Sequence, residues 1–481
     1  MARALSPRLF KEVSMNIKKI LGLILIVSLL IGLNFISFQT INSVKANGLP
    51  NEVWVDNDFN SSTPGWGVTH FDKIQDGING VADSGTVHVA AGIYQELLTI
   101  NKANLTLISG SPGTAVIKPL TERAAWPWGA VLITANGVTI DGFEIDGSTV
   151  CYNGINAYGV SNVKIKNNIV HGATAQWDGI GILVWDWDKN KTVDNATIEN
   201  NLVYDTGRMG IFCMDYGNNI YDVTEGHIIR GNKVHDTWKV GWGDGGGGIQ
   251  INVGKNCAIT NNLIYNTQNN QRGIYMFGSA AGNTIVGNTL RNNGYGIQLW
   301  ISGEDGATIN WDGETPTSPA VHFNNIYDNS LFGAESTNIA GTPMVMDATN
   351  NWWGANDGPS GVGHGSGDAV SANVDYDPWL KRVSSTSTIY GDVQVYFTPG
   401  GSPAMWRVVI PDREYDTGFI SFDLFIYRDN KIIGSYFKLR DAITFNILWY
   451  EGSNHYIIKF FDLKNKIFLI LVDGMLDGGL E

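Results

Sequence analysis

Carboxylates and rings alternate in one short stretch, Trp185-Asp186-Trp187-Asp188, and a second carboxylate, Asp215, lies in a later segment of the same pattern. If the two segments stack as neighbouring strands, Asp186 and Asp215 lie ~5 Å apart, near the separation of the two carboxylates of a retaining glycosidase. Such a pair also shares a proton readily, or holds Ca²⁺ with Asp188 as a further ligand. Asp178, just before the first strand, and Asp244, in Gly241-Trp242-Gly243-Asp244-Gly245, form an alternative acid and base. Arg208, Lys239 and Arg272 lie on adjacent loops and are candidate proton abstractors. The plain alternative is a solvated acidic rim, with or without a structural calcium.

The elements that must position these groups are strands that open with Gly-Ile or its equivalent: Gly154-Ile155, Gly181-Ile182, Gly210-Ile211, Gly248-Ile249, Gly273-Ile274 and Gly296-Ile297. Strand alternation turns each Ile, and the second residue after it, to one side. That side reads Ile155/Ala157, Ile182/Val184, Ile211/Cys213, Ile249/Ile251, Ile274/Met276 and Ile297/Leu299, apolar throughout. The opposite side carries Tyr158, Trp185, Met214, Asn252, Phe277 and Trp300, beside Asn156, Leu183, Phe212, Gln250, Tyr275 and Gln298. Trp187 follows at the end of one strand. A water-facing column of rings and amides suits a sugar chain, whose apolar face stacks on rings and whose hydroxyls bond to amides; a large exposed aromatic patch marks an interaction site. The competing expectation is that loops cover this face and make the rings core.

Between these strands a dozen-residue segment recurs: NGVTIDGFEIDG from Asn136, SNVKIKNNIVHG from Ser161, DNATIENNLVYD from Asp194, EGHIIRGNKVHD from Glu225, KNCAITNNLIYN from Lys255 and AGNTIVGNTLRN from Ala281. One Asn position recurs as Asn168, Asn201, Asn232, Asn262, Asn288, Asn325 and Asn351, with Phe143 in the equivalent place before them. Short alternating strands at this period predict a solenoid of coils, and the Asn column predicts a ladder of amides bonding from coil to coil. A β-propeller needs longer, four-stranded repeats.

These repeats, with the closing Asn350-Asn351-Trp352-Trp353-Gly354 and Asp357-Gly358-Pro359, resemble the right-handed parallel β-helix proteins of the pectin-lyase-like superfamily. Phe71–Gln75 and Ile78 resemble their capping helix, and Gly85–Val89 and Gly92–Glu96 their first coil. The resemblance covers about residues 53 to 380 and implies an all-β fold: a right-handed parallel β-helix solenoid. It also implies that an Arg or Lys serving as base, as in many β-helix lyases, would remove the C5 proton of a uronate. The chain departs from the enzyme subfamilies. It has no Asp-Asp pair as in polygalacturonases, its Gly363-His364-Gly365 lies far from the acidic cluster, and neither the pectate lyase nor the pectin methylesterase motif is present. The likeness is to generic carbohydrate-binding and sugar-hydrolysing modules.

The rest of the chain fits an exported protein. Lys18 and Lys19 precede an apolar run, Ile20–Leu33, and Val44-Lys45-Ala46 offers a cleavage site, so residues 1–46 read as a signal peptide with a start at Met15. Removing them leaves 26 basic and 45 acidic side chains, a net charge of −19. That excludes a nucleic-acid partner, which needs a basic footprint. Cys151, Cys213 and Cys257 fall in strand-like runs and are expected as buried thiols. The β-helix is expected over 47–381 and a linker over 382–390. A small β-rich module is expected over 391–481, where Asn becomes scarce. The expectation is a secreted or cell-surface monomer without a membrane span, binding polysaccharide or a cell-surface glycan, with Ca²⁺ as the one cofactor considered. Two readings stay open: a polysaccharide hydrolase or lyase, and a non-catalytic structural or adhesive protein.

Overall fold

A computed structural model describes residues 48–381, save short stretches at 149, 176–178, 189–190, 218–219, 240–245, 301–307 and 338–343, and the backbone of seven strands between 394 and 473. The expected export segment at 1–46 and the expected linker at 382–390 lie outside the described residues.

The chain winds in coils through three parallel sheets, with thirteen, nine and eleven strands on their main paths among the described residues. Each coil contributes a strand to each sheet. In the first sheet Thr139–Asp141, Lys164–Lys166, Thr197–Glu199 and Ile228–Arg230 stack in unbroken register. These four strands bury only their middle residue, as in Ile165, Ile198 and Ile229. The alternation seen in the sequence thus makes an apolar filling lined by polar outer faces. The expected inside set of the third sheet, from Ile155 and Ala157 to Ile297 and Leu299, is fully buried in this core. The three cysteines are free and buried.

An amide ladder joins the coils at the turn between the first and second sheets. Each rung accepts the backbone N–H of the previous rung at 2.8–2.9 Å and that rung's side-chain amide at 3.0–3.1 Å, along Asn168, Asn201, Asn232, Asn262, Asn288, Asn324 and Asn351. Phe143 takes the expected first place, its N–H donating to Asn168 Oδ1. One rung differs from the sequence expectation: the ladder residue is Asn324, not Asn325. In His322-Phe323-Asn324-Asn325 the first Asn turns inward with Phe323 in the left-handed conformation, whereas in earlier coils the left-handed residue before the rung is Asn167, Asn200, Gly231, Asn261 or Gly287.

Glycines open the third-sheet strands for a steric reason. A Cβ on Gly210 would lie 2.7 Å from Gly248 O and closer still to Val234 Cγ1; Gly181, Gly248 and Gly273 meet the same two obstacles in their own coils. The column brings the third sheet against the second too tightly for a methyl group. Gly210→Ala is therefore expected to cost roughly 2–3 kcal/mol by forcing backbone shifts. Urea unfolding of the variant checks this, and an unchanged midpoint would refute it.

A helix, Ile74–Gly80, covers the first coil. Its N-terminal amides at Ile74 and Gln75 are taken by the Glu96 carboxylate at 2.8 and 3.0 Å. The Gln75 side chain bonds both backbone groups of Thr99, on the outermost strand of the third sheet. Beyond residue 390 the strands pair antiparallel, in one three-stranded and one four-stranded sheet. They include Met405–Ile410 and Lys431–Leu439, which the sequence reading did not anticipate. Among the described residues no helix is long and apolar enough to cross a membrane.

Candidate functional site

The outer face of the third sheet carries the predicted residues in the predicted register: Tyr158, Trp185 and Met214 in one run, and Asn252, Phe277 and Trp300 in the next. The expectation that this column faces water is corrected. Trp185, Phe212, Tyr275 and Phe277 are only 4–7% exposed, and Asn252 is buried. The cause is a second layer. The strand Met209–Gly217 runs past the sheet and returns as Ile220–Asp222, which pairs in parallel with Thr308–Ile309 from a later coil. This strap lays Tyr221 on Phe277 at 5.0 Å and on Tyr216 at 4.5 Å, and Asn310 Nδ2 ties it to Asp222 Oδ1 at 2.7 Å.

Two indoles escape cover, Trp126 at 43% and Trp187 at 48% exposure. Both are fixed from beneath. Trp126 meets Tyr158 and Trp185 edge-on at 4.8 and 5.9 Å, and Trp187 meets Trp185 and Tyr216 at 6.1 and 4.7 Å. Trp185 is itself locked, its Nε1–H donating to Asn156 Oδ1 at 2.9 Å. Lys191 Nζ lies over the Tyr158 ring at 4.7 Å. The result is a rigid ledge of rings across neighbouring coils.

Asp186 and Asp215 do meet, as the register predicted, but not as an open pair. Asp186 is wholly buried and Asp215 is 6% exposed, and their carboxyls are hydrogen-bonded to each other. Asp186 Oδ1 also accepts the Asp188 N–H at 3.2 Å. Asp186 Oδ2 and Asp215 Oδ1 are buried and receive no donor from a neighbouring residue. Burial raises the pKa of both acids above the usual carboxylate range, and for Asp215 the adjacent Asp186 charge raises it further. The pair retains a proton in the neutral range. Direct contact leaves no room for a sugar between the carboxyls, unlike the retaining geometry expected from strand spacing. Asp188 is exposed, and among the described residues no three acidic, His or Cys side chains converge as a metal would need, so the expected Ca²⁺ set Asp186, Asp188 and Asp215 is not assembled.

The proposed bases lie elsewhere. Arg208 precedes the strand that Asp215 nearly ends, which at strand rise separates them by ~20 Å. Lys239 forms an ion pair with Asp205 on the same side. Arg272 opens its strand, is 8% exposed, and donates to Gln271 Oε1 and Gln298 Oε1 at 2.8 and 2.5 Å while stacking over Tyr275. The strand length thus separates the expected lyase base from the acids. Asp178 and Asp244 lie outside the described residues. Sequence reasoning missed Tyr216, Tyr221 and Glu335. A hairpin signal was present for the first two, in Tyr216-Gly217-Asn218-Asn219-Ile220-Tyr221.

A family model described as a right-handed β-helix region matches residues 128–311. With the three parallel sheets, this gives a right-handed parallel β-helix. Among solved structures, the chain is similar to a protein called XylC in complex with xylose (10% identity, 85% of this chain and 100% of that one, TM-score 0.39). It is also similar to the Dettilon tailspike protein (14%, 84% and 90%, 0.38). A third similar structure is a pectin methylesterase bound to a hexasaccharide (12%, 60% and 90%, 0.32). Likenesses this distant bear on fold alone. No curated protein matches the chain.

Proposed function

We propose that this right-handed parallel β-helix protein binds polysaccharide outside the cell, on the ledge of Trp126 and Trp187. The observation that carries this is the exposure of two indoles, 43% and 48%, on rings that cannot yield. Unpaired exposed tryptophans lose nothing by accepting the apolar face of a sugar, and preorganised ones lose little side-chain entropy on binding. Asp188, exposed beside Trp187, supplies a hydroxyl acceptor. The export segment at residues 1–46 supports an extracellular location.

Trp126→Ala and Trp187→Ala are each expected to weaken glycan binding by about tenfold, and the double variant to abolish retention. Affinity electrophoresis through gels containing individual polysaccharides measures this. Unchanged retention of the double variant would defeat the proposal. One observation favours a hydrolytic activity as second reading: Asp186 and Asp215 hold a proton at neutral pH, as a general acid must. Their burial opposes it. Mass spectrometry of glycans after incubation separates binding from cleavage, since hydrolysis yields water-added oligosaccharides.

A further inference from the structure

His227 is wholly buried and takes no part in the ledge. It sits where the chain leaves the strap. Ile220–Asp222 runs on into the short strand Thr224–Glu225, which pairs with Gly254 and Lys255, and then reaches His227. Both ring nitrogens are bonded. The Ala196 N–H, on the coil before, donates to Nδ1 at 3.2 Å. That puts the ring proton on Nε2, which donates to Thr224 Oγ1 at 2.5 Å, and the Thr224 hydroxyl donates in turn to Val193 O. The neutral ring thus ties the foot of the strap to the preceding coil. The next two coils place Cys257 and Asn283 at the same position, and Asn283 Oδ1 accepts the Cys257 N–H at 2.9 Å. An amide therefore does the same work two coils on without a group that titrates.

We propose that His227 is an acid-operated latch on the strap: a proton on Nδ1 turns the acceptor of the Ala196 N–H into a donor, the ring leaves its place, and the foot of the strap at Thr224–Glu225 comes free. The groups around the ring are already engaged. Asp194, on the coil before, accepts the Glu225 N–H at 2.8 Å, and Glu225 accepts the Asn256 amide at 2.8 Å. Lys255 pairs with Glu314, and burial keeps the Cys257 thiol neutral, its pKa pushed up to about 12. Burial also raises Asp194, which makes it the rival proton acceptor. For His227 burial acts the other way and lowers the pKa to about 4, against about 6.5 once the segment opens. A group depressed in this sense contributes stability above pH 6.5 and loses it as pH falls toward 4. The latch is therefore closed at neutral pH and weakens below it. What it holds down is Tyr221 on Phe277 and the tie of Asp222 to Asn310, so opening bares a ring that is 6% exposed in the closed state.

The test is hydrogen exchange of the full chain at pH 7 and pH 5, corrected for intrinsic rates, in wild type, His227→Asn and Asp194→Asn. In wild type, opening at Ala196 and at residues 220–228 is expected to become roughly twentyfold more frequent at pH 5, the ratio that pKa values of about 4 and about 6.5 give. The coils around Ile140 should stay protected. His227→Asn keeps a donor and an acceptor but cannot charge, so its corrected exchange should match at the two pH values. Asp194→Asn should respond as wild type does. A wild type that exchanges alike at both pH values would overturn the proposal. So would a response that survives His227→Asn or that Asp194→Asn removes, since either assigns the proton to another group. Should His227→Asn not fold, the imidazole carbon resonances of His227 in wild type must titrate with the same midpoint as the exchange, and a mismatch overturns the latch as well.

Discussion

Replacing Asp215 with Asn is expected to raise the melting temperature at pH 8 and to leave it nearly unchanged at pH 4. Both acids of the pair have folded pKa values raised above the unfolded value of about 4. A carboxyl of this kind favours the folded state while protonated. Its contribution is complete below the unfolded pKa and is lost as pH rises through the folded one. At pH 8 the native chain must either charge two touching carboxyls, which Lys191 only partly offsets, or hold a proton against solution. Asparagine retains a donor and removes the second charge. The gain is on the order of 2 kcal/mol at pH 8, since each displaced pKa unit is worth about 1.4 kcal/mol and relaxation reduces the total. Thermal unfolding of wild type and variant between pH 4 and pH 8 measures it. A lower melting temperature for the variant at pH 8 would mean that a cation occupies the pair. If the pair were also the acid and base of a hydrolase, the same variant would be more stable and inactive, a trade frequent at catalytic sites.

The second large effect is expected at the middle of the amide ladder. Asn232 Oδ1 accepts from the backbone N–H and side-chain amide of Asn201, and its own amide donates to Ile198 O and Asn262 Oδ1. Asn232→Ala leaves the backbone N–H and side-chain amide of Asn201 without their acceptor and takes one donor each from Ile198 O and Asn262 Oδ1, in a site where the asparagines are 1–2% exposed. At about 1–3 kcal/mol for each orphaned group, the loss is roughly 3–5 kcal/mol. Repeat stability is close to a sum of coil and interface terms, so the loss should concentrate near the break. Hydrogen exchange should show lost protection in the coils flanking Asn232 and retained protection near Ile140 and Val321. Uniform exchange would refute the nearest-neighbour picture.

The fold was legible because one sequence signal repeats for each coil. The Gly-Ile openings fix strand register, and a misplacement by one residue would put amides such as Asn156, Gln250 and Gln298 in the core. The ladder was legible for the same reason, save at Asn324, where a doubled Asn left two candidates and only the left-handed turn at Phe323 decides between them. The meeting of Asp186 and Asp215 also follows from register. What register cannot give is the second layer. Whether Phe277 faces water depends on the strap, and the strap joins Ile220–Asp222 to a strand almost ninety residues later. Nothing periodic encodes that contact. The separation of Arg208 from Asp215 was available from strand rise alone, because residues adjacent in coil order can sit at opposite margins of one sheet.

The helix Ile74–Gly80 carries a consequence beyond the first coil. An uncovered coil ends in a row of free strand N–H and C=O groups whose spacing matches the strand of any other copy. Stacking of one molecule on the next would then continue the same hydrogen-bonding pattern, and nothing in a repeat that tolerates coils of 26 to 36 residues would limit its length. By spending the Gln75 amide on both backbone groups of Thr99, the helix occupies the valences through which such growth would start. The short helix thereby sets a finite end to an otherwise self-templating polymer.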